Sequence, residues 1–219
     1  MADLKERIAR RCAKEFEDGD FINLGIGLPT MVADYLPPDI EVTCHSENGF
    51  AGIDDVVTDP ADLDVDIINS GGVYVKALSR AKFFDTAEGF GLVRGGHVKA
   101  TVLGAMEVAE NGDLANWIVP GKRVAGMGGA MDLCVGCPQV IITMLHTQKG
   151  NHKIKKECTL PLTAEKCVTK IITEMAVMEV TDEGIVVTEL HPDFTKEEVQ
   201  EATGVELIWA DDLKPYDED

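Results

Sequence analysis

A chain of 219 residues, 45% hydrophobic and 27% charged, is long enough to bury one sizeable core or at most two small ones. Its formal net charge of −19 repels nucleic acid and anionic membrane, so neither is expected as a partner. No apolar run reaches the roughly 18 residues of a membrane helix. The opening MADLKERIARRCAKEF mixes both charge signs without an apolar centre, which reads as a cytoplasmic chain with no signal peptide.

Residues 3–17 are expected to form a helix: Leu4, Ile8 and Cys12 recur every four residues and Gly19 closes the pattern. FINL (21–24) reads as a short strand, and PTMVADYL after it as a helix with Pro29 in its first turn. IEVTC (40–44) and VDIIN (65–69) read as strands, and GIDDVV (52–57) as a loop. ATVLGAMEV (100–108) and QVIITML (139–145) are continuous apolar runs, as expected of strands covered on both faces. TAEKCVTKIITEM (163–175) reads as a helix, and residues 176–190 as a hairpin turning at TDEG. Thr195 and Glu198 form a capping box for a helix over 195–203, VELIW adds a last strand, and DDLKPYDED is a frayed acidic tail. Alternating strands and helices predict an α/β open sheet, partly parallel, in a single domain over residues 1–210 with the tail at 211–219.

Many glycines fall where strands should end, in GIG, SGG, RGG and GMGG. Ligands of open α/β sheets bind beyond the carboxyl ends of strands, where glycine permits close approach. NLGIGLPT (23–30) is a partial dinucleotide fingerprint with Thr30 in place of the third glycine, equally readable as a strand turning into a helix. Asn23, at a strand end, offers an amide to a carboxylate or carbonyl oxygen. GMGG (126–129) offers backbone N–H groups for an oxyanion or a phosphate. Glu47, in CHSENGFAG, is either a solvated turn residue or a nucleophilic carboxylate. Pairing it with Asp54 or Asp55, as in a glycosidase, is disfavoured by an aromatic content of 5%. The six cysteines read as small buried thiols; CVGC (134–137) lacks the second ligand pair of a zinc site. VRGGHVK (93–99), PGKRV (120–124) and HKIKK (152–156) are local basic clusters that are either solvated faces or contacts for an anion.

NLGIGLPTMVADYLP, SENG, VRGGH, LANWIVPGK, GMGGAMDL and CTLPLTA, in this order, closely resemble the B (β) subunit of family I CoA-transferases, from the first helix to about residue 205. The resemblance implies the NagB/RpiA/CoA-transferase-like α/β fold with helices on both faces of the sheet. It implies Glu47 as nucleophile, Gly128 (or Gly129) as oxyanion N–H donor, and Asn23, Gly25, Gly27, Gly126 and Gly129 as substrate contacts. It further implies no metal and no permanently bound cofactor, with acyl-CoA and short-chain carboxylates as substrates. An A (α) subunit would complete an α2β2 or α4β4 assembly. The chain departs from the family at His45, where Gln is usual, at Asp54 in place of Gly, and at Ser70 in place of Ala. These flank the nucleophile and bear on acyl specificity, although His45 also reads as a neutral core residue.

Overall fold

The structure, a computed structural model, describes residues 2–121 and 126–217. Lys122, Arg123 and Val124 of the basic PGKRV stretch lie outside the described residues.

The chain runs α1 (Ala2–Ala13), β1 (Phe21–Leu24), a 3-10 helix (Leu28–Tyr35), β2 (Thr43–Ser46), β3 (Phe50–Val56), a 3-10 turn (Pro60–Asp62), β4 (Val75–Phe83) and α2 (Thr86–Arg94). It continues with β5 (Ala100–Leu103), β6 (Glu107–Ala109), β7 (Leu114–Ala115), α3 (Ala130–Gly136), β8 (Gln139–Thr143), β9 (Thr147–Gln148), β10 (Asn151–His152) and β11 (Ile154–Lys155). The last elements are β12 (Lys170–Ile172), β13 (Ala176–Thr181), β14 (Gly184–Leu190), α4 (Lys196–Glu201) and β15 (Ile208–Pro215).

Ten strands form one sheet in the order β15-β14-β13-β12-β8-β5-β1-β2-β3-β4. Its centre, β12-β8-β5-β1-β2, is wholly parallel, and antiparallel hairpins extend it on both sides. Alternation along the strands builds two cores. Ile22, Val102, Ile141 and Ile172 meet Ile8 and Cys12 of α1 on one face. Leu103, Val140, Ile142 and Ile171 meet Val93 of α2, Leu133 of α3 and Val199 of α4 on the other. Helices on both faces explain the continuous apolar runs of β5 and β8, since strands buried twice have no solvent face. From β1 the chain goes to β2 on one side and then to β5 on the other, so the sheet has its switch point between β1 and β5.

The hairpin of β13 and β14 and the Thr195/Glu198 capping box form as expected. Other expectations fail for identifiable reasons. α1 ends at Ala13, and an eight-residue 3-10 helix replaces the α-helix at Leu28–Tyr35. Residues 163–175 hold no helix: Lys170–Ile172 is β12, whose β-branched Ile171 and Ile172 fill the gap between β8 and β13. The loop expected around GIDDVV is part of β3, and VDIIN is not a strand; only Ile68 bridges to Tyr74. The tail is tied down as far as residue 217. β15 runs to Pro215 beside β14, and the buried Tyr216 hydroxyl donates to the Thr173 carbonyl at 2.9 Å.

A buried charge cluster joins α1 to the sheet. The Arg11 guanidinium donates to both Glu189 oxygens at 2.6 Å and to Glu15 at 2.7 Å, and Lys170 reaches Glu15 at 2.5 Å. Burial pushes the Glu15 pKa up, but Lys170 and Arg11 outweigh it and hold it below its ordinary value. Arg11→Met would leave Glu189 part-buried without this partner and Glu15 with Lys170 alone, a loss at or below the lower end of the roughly 3–5 kcal/mol of a fully buried pair. A urea titration at pH 7 should show that loss. The Glu15 contribution is present above the ordinary carboxylate value of 4.5 and lost as pH falls through the lower folded value, so the gap should narrow in acid.

Candidate active site

Glu47 follows β2 directly and opens the three-residue turn to β3. Its neighbours fix that turn. The Ser46 hydroxyl donates to Asn48 Oδ1 at 2.5 Å and accepts from the Ser70 N–H at 3.0 Å, while Asn48 Nδ2 donates to the Ile68 carbonyl at 2.8 Å. Gly49, at φ 138°, closes the turn in a conformation open to glycine. Ser and Asn are therefore spent on holding the turn, and the Glu side chain is left to enter the cleft.

The cleft, of about 600 Å³, lies beyond the carboxyl ends of β1 and β5, at the switch point. Glu47 is the carboxylate lining it among the described residues, which removes the paired-carboxylate glycosidase reading. The Gly129 backbone N–H lies beside the Glu47 carboxylate and favours its charged form, and the Gly129 α-carbon is so close that a Cβ there would sit 2.7 Å from Glu47 Oε2 and 2.6 Å from Phe90 Cζ. Burial raises the Glu47 pKa above its ordinary value; the Gly129 N–H opposes this, and the negative charge of Asp132 adds to it. Asp132 is itself paired with Arg94 at 2.7 Å. A half-buried carboxylate with few compensating donors is a destabilised anion, the state a carboxylate nucleophile needs.

The other expected residues separate into groups. Gly25, Gly126 and Gly128 line the cleft with Glu47. Gly25 must lack a side chain, because a Cβ would lie 2.9 Å from the Val102 carbonyl, the partner of its own N–H at 2.8 Å. Gly128 has φ 58° and faces Glu47 without being bonded to it, so Gly129 serves the carboxylate and Gly128 lies open to a ligand. Asn23 lines the cleft but is almost wholly buried. Its Nδ2 donates to the His45 carbonyl at 3.2 Å and its Oδ1 accepts from Thr101 at 3.0 Å, leaving one N–H uncommitted. Gly27 does not line the cleft: at φ 91° it starts the 3-10 helix, and its carbonyl accepts from the Thr30 hydroxyl at 2.7 Å.

Of the departures flanking Glu47, Ser70 lines the cleft, Asp54 is exposed on β3 away from it, and His45 is a core residue. The His45 ring stacks on Phe84 at 5.6 Å and meets Phe21 edge-on at 5.7 Å. Neither ring nitrogen has a hydrogen-bond partner among the described residues, and burial lowers its pKa although the Gly89 backbone opposes this, so the ring is neutral. Cys134 and Cys137 are buried beside Val93 and Val140 in the core.

Sequence reasoning missed Asn116 and Trp117 as cleft residues, although the LANW motif carries both. Asn116 Nδ2 donates to the Gly104 carbonyl at 3.0 Å and its Oδ1 accepts from Thr163 at 2.7 Å; the Trp117 ring nitrogen donates to the Leu162 carbonyl at 3.1 Å. The partners Leu162 and Thr163 belong to CTLPLTA, so the two motifs meet to wall the cleft. Each motif's role appears only when the other is placed beside it.

An open sheet with a part-buried carboxylate and a glycine loop lining a cleft at its switch point has the layout of an α/β enzyme. The chain belongs to the coenzyme A transferase family, whose model matches residues 5–202. It is 48% identical over 211 residues to the acetate CoA-transferase subunit beta of Haemophilus influenzae, covering 96% of this chain and 94% of that one. To the Escherichia coli protein of the same name it is 52% identical over 189 residues, covering 86% of each. The mitochondrial succinyl-CoA:3-ketoacid coenzyme A transferase 2 of Homo sapiens is 43% identical over 97% of this chain, which spans only 42% of that protein. Among solved structures, an acyl-CoA transferase apoenzyme from E. coli O157:H7 has a TM-score of 0.76 at 20% identity, over 98% of this chain and 43% of that one. A decarboxylase has a TM-score of 0.76 at 19% identity over 97% of this chain and 88% of its own, so the fold alone does not name the reaction. The relatives above 40% identity do: this is a CoA-transferase chain.

Gly129→Ala should fold but displace Phe90 and the Glu47 carboxylate, and a shift of about 1 Å costs on the order of 100-fold in rate. Steady-state assay against an unfolding curve separates the two effects. Glu47→Gln should be more resistant to urea than wild type at pH 7, because a raised carboxyl pKa means that ionisation destabilises the fold. That advantage should disappear below pH 4.5, where the carboxyl is neutral in both folded and unfolded chains.

Proposed function

We propose that this chain is the B subunit of a CoA-transferase that moves CoA between short-chain carboxylic acids through a glutamyl-CoA thioester at Glu47. The observation that carries the reading is Glu47 itself: a carboxylate lining the cleft, part-buried, with its pKa raised and glycine N–H groups beside it.

The Glu47 carboxylate attacks the thioester carbonyl of an acyl-CoA, the tetrahedral oxyanion collapses, and CoA thiolate leaves from an acyl-glutamyl anhydride. The thiolate attacks the Glu47 carbonyl, the first acid departs as its carboxylate, and a glutamyl-CoA thioester remains. A second carboxylate attacks that thioester, and the steps run in reverse to give the new acyl-CoA and free Glu47. The Gly128 N–H is the donor at the oxyanion, worth roughly 3–4 kcal/mol in a site closed to water. The uncommitted Asn23 N–H and the backbone at Gly25 and Gly126 hold the acyl group. CoA enters as a substrate, so the scheme needs no permanently bound cofactor.

Acetoacetate with acetate or butyrate is the favoured exchange, and the relatives at 48% and 52% identity, named for acetate, support acetate as one of the acids. Succinyl-CoA with a 3-oxoacid is the second reading, supported by a Bacillus subtilis relative of that name at 44% identity. Relatives named as one subunit imply a partner subunit. An A subunit closing the cleft in an α2β2 or α4β4 assembly would cover Ile26 on the cleft rim and the neighbouring Met131 and Val135, which are 69%, 52% and 81% exposed. Six free thiols fit a reducing, cytoplasmic setting.

The assembled A–B pair should exchange isotopically labelled acetate into acyl-CoA with ping-pong kinetics. Glu47→Ala should lower that exchange by at least about 10⁴-fold, the scale of losing a nucleophile. Hydrolysis of acyl-CoA without exchange, or exchange in Glu47→Ala at the wild-type rate, would contradict the scheme.

A further inference from the structure

The cleft does not end at Met106. This residue also lines a second, smaller groove of about 290 Å³ whose wall is the β9–β10 hairpin and the start of β11. Among the described residues, the groove presents Lys149, His152, Lys153 and Lys155 against a single carboxylate, Glu107. That carboxylate is already committed. It takes Lys155 at 2.5 Å, the Thr159 N–H and hydroxyl at 2.6 Å and 2.8 Å, and the Leu160 N–H at 3.0 Å. Two lysines are left over in a chain whose net charge is −19.

Each of the two is held where it is at some expense to the fold. Lys153 is partly buried, and its ammonium makes no hydrogen bond or ion pair among the described residues; burial lowers its pKa to about 8, with the Glu174 charge opposing. A lysine taken from water without a partner is a cation awaiting an anion. Lys149 stands at the tip of the hairpin with φ 52°, followed by Gly150 at φ 76°. A two-residue turn of this kind is normally built from Asn or Gly, and a longer side chain in the left-handed region is disfavoured by about 1–2 kcal/mol. Nothing in the turn repays that strain, whereas a charge presented over the groove gives it a use. The remaining groove polar groups are quieter. His152 Nε2 is engaged with the Glu201 carbonyl at 2.9 Å, and Asn151 Nδ2 donates to the Gln148 carbonyl at 3.1 Å.

We propose that this groove binds the phosphate-bearing end of coenzyme A, with Lys149 and Lys153 as the groups that meet its phosphates while the thioester lies at Glu47. The proposal rests on the transferase reading of the cleft. Lysine suits the task as a mobile point charge for phosphate, where no bidentate geometry has to be matched. Because the groove adjoins the cleft at Met106, binding energy gained at the phosphates can be used at the distant reacting carbonyl.

The test uses the assembled A–B enzyme with Lys149→Gln, Lys153→Gln and the double variant. Each is assayed with an acyl-CoA and with the same acyl group on pantetheine, which has the thioester but no phosphate. The expected result is a KM for acyl-CoA raised roughly tenfold per lysine, with kcat/KM for the pantetheine thioester unchanged within about twofold. Adenosine 3′,5′-bisphosphate should compete against acyl-CoA in the wild type and lose potency in the double variant. Unchanged KM for acyl-CoA, or equal losses on both substrates, overturns the proposal. Inhibition by inorganic phosphate that the variants abolish while acyl-CoA kinetics stay at wild-type values overturns it too, since the groove would then be a general anion site. Acetate exchange by the wild-type enzyme reports separately on the reaction at Glu47. If exchange is absent yet the bisphosphate binds in a lysine-dependent way, the transferase reading fails and the anion groove survives.

Discussion

The contact between the Glu47 carboxylate and Gly129 is the constraint around which the rest of the site is arranged. A carboxylate in water is too well solvated to attack a thioester, and one fully paired with a cation is too stable to do so. Here burial, one backbone N–H and the neighbouring Asp132 leave the anion between those extremes. The absence of a side chain at position 129 makes this possible, since the space a Cβ needs is held by Glu47 and Phe90. Arg94 pairs with Asp132, and its guanidinium lies 5.8 Å from the Phe90 ring centroid, so α2 and α3 are tied together beside Glu47.

The fold delivers this contact through strand order. β1, β2 and β5 are parallel neighbours, so Leu24–Gly25, Glu47 and Leu103–Gly104 emerge on one side of the sheet. Asn23 links all three strands by its bonds to His45 and Thr101 and so fixes how their ends are spaced. The neutral His45 ring, wedged between Phe21 and Phe84, keeps the strand before Glu47 packed without bringing a charge close to it. Polar residues next to Glu47 thus act on its position, while its electrostatics come from glycine backbone and from α3.

Legibility in the sequence followed the range of the interactions. β1, the 176–190 hairpin and the α4 capping box were readable because neighbours in sequence decide them. Residues 163–175 misled because KCVTKIITEM fits a helical period, yet Ile171 and Ile172 are claimed by strands β8 and β13 that the local pattern does not contain. β3 was hidden by Asp54 and Asp55, which lie on its exposed end near the sheet edge where acidic residues are tolerated. At the site, residue type nominates Glu47 and GMGG, and the family resemblance singles them out among the alternatives. The division of labour between Gly128 and Gly129, the structural role of Gly27, and the wall made by Asn116 and Trp117 depend on long-range packing. The anion groove was half legible: HKIKK announced a basic cluster, but which of its lysines is unpaired depends on where Glu107 and Glu110 fall.

The most direct measurement is the mass of the peptide that contains Glu47 after the A–B enzyme is mixed with acyl-CoA and quenched within one turnover. The account predicts that this peptide carries CoA through a thioester on Glu47, that borohydride converts the residue to the corresponding alcohol, and that a second carboxylic acid discharges the adduct. An unmodified peptide from enzyme that is turning over, or CoA attached to any other residue, would contradict it.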